Sequence, residues 1–60
     1  MERITHQWLI ANGYKHDGYG EYYKGNIILD SEYTYEGFYC LIVDDELREI
    51  DIEFINQIKI

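Results

Sequence analysis

A chain of 60 residues with 12 acidic and five basic side chains, formal net charge −7, is one small domain, residues 1–60. That charge argues against free nucleic acid and anionic membrane as partners, since both require a positive footprint. One cysteine permits no internal disulfide, and with two histidines it falls short of a Cys/His zinc framework, so no metal and no cofactor is expected.

Residues 1–3 are a short polar lead. Helix signals then crowd into Ile4–Tyr14. Thr5 suits an N-cap, and Ile4 with Leu9 fits a hydrophobic staple. Gly13 can take the left-handed conformation that ends a helix, with Tyr14 folding back onto Leu9 as in a Schellman stop. The spacing predicts a helix over 6–12 with Trp8, Leu9 and Ala11 toward a sheet, and Trp8 largely buried. A helix this short is marginal alone, so it must dock on the remainder of the chain.

That remainder reads as strands. Tyr14–Gly20 is a turn-rich link, and Glu21–Lys24 an aromatic strand. Gly25-Asn26 is a hairpin signal, Ile27–Leu29 the returning strand and Asp30-Ser31 a turn. Glu32–Tyr35 alternates, which puts Tyr33 and Tyr35 on one face. After the Glu36-Gly37 turn, Phe38–Val43 is the most apolar run and is expected to be central and covered on both faces. Asp44-Asp45-Glu46 is a turn. From Arg48 to Phe54 the period is two, with Ile50, Ile52 and Phe54 on one face and Glu49, Asp51 and Glu53 on the other. In the tail from Ile55, Ile58 and Ile60 fit a continued strand while Phe54, Ile55 and Ile58 suit a helical turn, and a turn or short helix is the expectation. The fold class is α+β: an N-terminal helix packed on a small, mainly antiparallel sheet of four or five strands.

A domain of this size buries only about 60% of its unfolded surface, so an aromatic core or self-association must support it. Seven tyrosines, two phenylalanines and Trp8 serve the first, and a homodimer is the second expectation. The start lacks the charged lead and apolar run of a signal peptide, and no apolar stretch reaches membrane-span length. With a single cysteine, this points to a soluble, cytoplasmic protein.

The charge is lopsided. Residues 1–29 hold three acids and three bases, whereas residues 30–60 hold nine acids against Arg48 and Lys59 and carry the whole −7. A basic protein surface is the natural complement. Glu49, Asp51 and Glu53 on one strand face would stand about 6.6–6.8 Å apart and extend the acidic Asp44-Asp45-Glu46 turn. Such a row either guards an edge strand against sheet pairing or imitates a nucleic-acid backbone. Tyrosine offers interface area at low entropy cost, with Tyr19, Tyr33 and Tyr35 expected to be exposed. The candidate partner-binding residues are therefore Asp44, Asp45, Glu46, Glu49, Asp51, Glu53, Tyr33 and Tyr35.

Catalytic equipment is not marked. Gly18, Gly20 and Gly25 follow a helix and precede a strand, the reverse of a phosphate loop, and read as turn glycines. His6 and His16 read as surface side chains, and Cys40 as a buried, inert thiol. The chain is expected not to be an enzyme.

The opening Thr5-x-x-Trp8-Leu9-x-x-x-Gly13-Tyr14, then a tyrosine-rich hairpin and an Ile/Phe-alternating strand, resembles a group of short uncharacterised bacterial and prophage proteins. The likeness is closest over the first fourteen residues. It carries no active site and implies a phage or mobile-element setting. Small acidic phage proteins are often inhibitors of host defence, which makes an anti-CRISPR or anti-restriction role, by occupying a nucleic-acid site, the leading expectation. The alternative is a self-associating structural or regulatory module.

Overall fold

The structure is a computed structural model, and it describes residues 1–32 and 34–60. The helix α1, His6–Ala11, precedes five strands: β1 (Lys15–His16), β2 (Glu21–Lys24), β3 (Ile27–Asp30), β4 (Tyr39–Val43) and β5 (Glu46–Ile52). A single 3-10 turn, Ile55–Gln57, comes last. The strands form one antiparallel sheet in the order β1-β2-β3-β4-β5, so each pairs with its neighbour in sequence. The α+β architecture is the one the sequence predicts.

The helix is bounded by its own residues. The Thr5 hydroxyl accepts the Trp8 N–H at 3.1 Å. At the other end the Gly13 N–H donates to the Ile10 carbonyl at 3.2 Å and the Tyr14 N–H to the Leu9 carbonyl at 3.0 Å. These are the two bonds of a Schellman stop. Gly13 sits at φ +89°. Ile4 and Leu9 are both buried, completing the staple. Trp8 is half-buried against the core, whereas Ala11 is exposed, contrary to its expected place against the sheet. The helix is too short to cover the sheet with a second turn of side chains.

Cross-strand register divides the sheet into two faces. Tyr22, Leu29 and Leu41 stand opposite one another and are buried beneath α1, the N-terminal segment and the C-terminal turn. Val43, Tyr39 and Ile52 lie on the same side. The other face bears Tyr23, Ile28 and Ile42 in one register row. β4 therefore alternates between buried and half-buried side chains. The expectation that Phe38–Val43 is covered on both faces is corrected: α1 and both termini lie on one side. Cys40 is half-buried and free, and so is less enclosed than expected.

Three further expectations change. Lys15–His16, placed in a link by sequence, pairs with Tyr23 and Tyr22 as the short strand β1. No strand forms at Glu32, Thr34 or Tyr35. There the Asp30 carboxylate accepts the Glu32 N–H at 2.8 Å, and the Thr34 hydroxyl bonds the Ser31 and Phe38 carbonyls. Such side chain to backbone bonds compete with a strand ladder. The expected placement of Tyr33 lies outside the described residues. Finally, β5 ends at Ile52 and is irregular. It holds one residue more than β4 between the Leu41–Glu49 and Ile42–Leu47 pairs, and again between Tyr39–Ile52 and Leu41–Glu49. Each extra residue resets the period of two. Ile50 is consequently exposed, while Ile52 is fully buried.

Candidate protein-binding surface

Asp44 and Asp45 form the two-residue turn between β4 and β5, at φ +53° and +62°. Positive φ at both central positions is what a type I′ hairpin demands, and aspartate tolerates it better than most residues. The turn is anchored to its neighbour. The Asn26 side-chain amide donates to the Asp44 carboxylate, and the Asp44 N–H donates to the Asn26 carbonyl at 3.1 Å. The two hairpin tips are thus held side by side, and Asp44 and Asp45 remain exposed.

Glu46, Glu49 and Asp51 are exposed along β5, which is an edge strand. Glu49, Asp51 and Glu53 do not form the regular row the sequence predicts. Glu46 is opposite Val43 and Glu49 opposite Leu41, both core-side partners, while Asp51 lies in the second bulge at φ +53°. Glu53 stands apart. Its carboxylate pairs with Arg3 at 3.0 Å. Its carbonyl accepts the Ile4 N–H, and its own N–H donates to the Gln57 side chain, both at 2.9 Å. It ties the N-terminal segment to the C-terminal turn, so its charge is engaged within the fold. Among the described residues this is the only ion pair, which leaves Asp44, Asp45, Glu46, Glu49 and Asp51 without a cationic partner.

Tyr35 is 83% exposed and Tyr19 is 81% exposed, as expected, while Tyr14, Tyr22 and Tyr39 are core residues. Tyr33 lies outside the described residues. Tyr35 lies in the loop before β4, at the end opposite the Asp44-Asp45 turn, and β4 between them is about 14 Å long. The structure thus gathers five carboxylates on one edge and turn and leaves Tyr35 beyond them. A shallow depression of about 210 Å³, lined by Glu49, Gln57 and Lys59, adjoins β5. It is smaller than a typical small-molecule site of about 300–1,000 Å³.

An aromatic cluster at the junction of α1 with β1 has no counterpart among the sequence expectations. Nδ1 of His6 lies 2.7 Å from the Tyr22 hydroxyl. His16 stacks on the Tyr22 ring at 4.3 Å between centroids, and the two imidazoles are 5.5 Å apart. Burial pushes the Tyr22 phenol upward in pKa. The histidines are exposed at their tips and serve here as packing. Their contact depends on helix-on-strand docking between residues ten apart, so no local pattern announces it. No group of three or more metal-ligating side chains occurs among the described residues. No helix among them is long and apolar enough to cross a membrane. Comparison with protein-family models, with curated proteins and with solved structures finds no match.

Proposed function

We propose that this is a non-catalytic, cytoplasmic binding protein whose acidic edge docks on a basic protein surface. In this reading it acts as a phage-type inhibitor, of the anti-CRISPR or anti-restriction kind, that occupies the nucleic-acid site of a host enzyme. One observation carries the proposal: Asp44, Asp45, Glu46, Glu49 and Asp51 are exposed on one turn and edge strand with no cationic partner among the described residues. From Asp44 to Asp51 the backbone spans about 20 Å. Five carboxylates over that length, with Arg48 among them, stand about 5 Å apart on average, sparser than the roughly 3.4 Å of axis per charge on each strand of a duplex.

Charge of this kind contributes chiefly to association rate and is screened by salt. The test is capture from host lysate at low and at high ionic strength. A basic, nucleic-acid-processing protein retained at low salt and released by nucleic acid supports the reading. Retention indifferent to salt and to competing nucleic acid contradicts it.

A further inference from the structure

The face of the sheet turned away from α1 carries a second surface, which meets the acidic edge only at Asp51. Register places Lys15, Tyr23, Ile28, Ile42 and Leu47 directly opposite one another, in one row across all five strands. An antiparallel sheet with one wet face normally turns polar residues outward. Here the outward row is tyrosine, two isoleucines and leucine. Leu47 is 63% exposed and Tyr23 39%, and neither Ile28 nor Ile42 packs against the core cluster. Ile28 and Ile42 are half-buried between these two exposed side chains.

A second row runs parallel to the first, two residues along each strand, or about 6.8 Å away. It contains Glu21 opposite Asp30, Asp30 opposite Cys40, and Ile50 and Asp51 facing Cys40 across the bulge. Glu21 and Asp30 are like charges placed directly opposite each other, an arrangement that destabilises a sheet. The Asp30 carboxylate also accepts the Glu32 N–H, which holds it in the fold despite that repulsion. The edges offer no site for an added strand. β1 has two residues, and β5 is bent by two bulges, so neither presents a flat ladder for an added strand.

We infer that this open face receives an amphipathic helix of a partner protein, its apolar stripe on Tyr23, Ile28, Ile42 and Leu47 and a lysine- or arginine-bearing flank over Glu21, Asp30 and Asp51. The dimensions agree. Four strands span about 14 Å across the row, which matches about ten residues of helix at 1.5 Å each. Helix-on-groove recognition uses anchors at this spacing. A second copy of this chain is the poorer occupant, because it would bring the same carboxylate row and another charge of −7 to the face.

The test uses a designed helical peptide with leucine at i, i+4, i+7 and i+11 and lysines along one flank. Titration followed by backbone NMR shifts is expected to give micromolar binding, with changes centred on Tyr23, Ile28, Ile42 and Leu47. Leu47→Lys, at an exposed edge position, should weaken binding at least tenfold while keeping the wild-type fold by circular dichroism. Glu21→Gln with Asp51→Asn should weaken it severalfold at low salt only. Lysine substitutions at Asp44, Asp45 and Glu49 should leave it within about threefold, which separates this face from the acidic edge. No binding, shifts centred on the acidic turn, or binding unchanged by Leu47→Lys would overturn the inference. So would sedimentation showing a homodimer that Leu47→Lys converts to monomer.

Discussion

Replacing Gly13 by alanine probes the helix on which the covered face depends. The residue sits at φ +89°, where an alanine side chain costs about 1–2 kcal/mol. The new Cβ would meet Lys24 Cε at 3.6 Å, an ordinary contact, so conformation rather than collision sets the penalty. Alanine also restricts the unfolded chain, which returns about 0.4–1 kcal/mol. The net loss is about 1 kcal/mol, or about 4–8 °C in a domain of this size. The loss is transmitted because the same turn delivers Tyr14, buried in the core, and closes on Leu9. Thermal unfolding followed by circular dichroism measures it, with Gly13→Asn as the graded case, since asparagine tolerates left-handed backbone and should lose less. An alanine variant that melts at or above the wild-type temperature, or an asparagine variant less stable than alanine, would refute the Schellman assignment.

Three other outcomes rest on the same structure. Leu29→Ala removes a fully buried side chain from the middle strand and should cost about 2–5 kcal/mol, enough to leave so small a domain largely unfolded in urea titration. Asp45→Gly relieves φ +62° in a two-residue hairpin and should stabilise by about 0.5–1 kcal/mol, read as a higher melting temperature. Burial raises the phenol pKa of Tyr14, Tyr22 and Tyr39 above the ordinary 10.0, with the neighbouring Tyr22 adding to the rise at Tyr39. A raised pKa means the fold prefers the protonated form. Their contribution is therefore complete below pH 10 and is lost as pH rises through the folded values, so alkaline titration should show phenolate absorbance appearing together with loss of secondary structure. Buried phenols that ionise like free tyrosine in an intact fold would contradict the core assignment.

Local chemistry was legible in the sequence, and register was not. Thr5, Gly13 and the Ile4–Leu9 staple act within one helical turn of the chain, so the helix ends could be read from residue types alone. Gly25-Asn26 located the β2–β3 hairpin for the same reason. β1 was invisible because Lys15 and His16 have no strand character of their own and are recruited by Tyr23 and Tyr22. The alternation at Glu32–Tyr35 misled because the Asp30 and Thr34 side chains bond the loop backbone instead. The acidic residues of the candidate surface were found, but their supposed single row was not a property of composition. Two extra residues in β5, one of the bulges holding Asp51 at φ +53°, decide which way each carboxylate points. Arg3 takes Glu53 out of the free set through a contact fifty residues distant in sequence. The apolar row on the open face likewise exists only once four strands are in register.

The most direct test of the central claim is the association rate of the captured basic partner with wild-type protein and with a variant carrying lysine at Asp44, Asp45, Glu49 and Asp51. Glu53 is left intact because it holds Arg3. The rate should fall at least tenfold at low salt and the difference should shrink as ionic strength rises. The variant should stay folded by circular dichroism but melt lower, because Asp44 gives up its Asn26 bond and lysine tolerates the positive φ at 44, 45 and 51 less well than aspartate. An unchanged association rate at low salt in a folded variant would contradict the claim that the acidic edge is the docking surface.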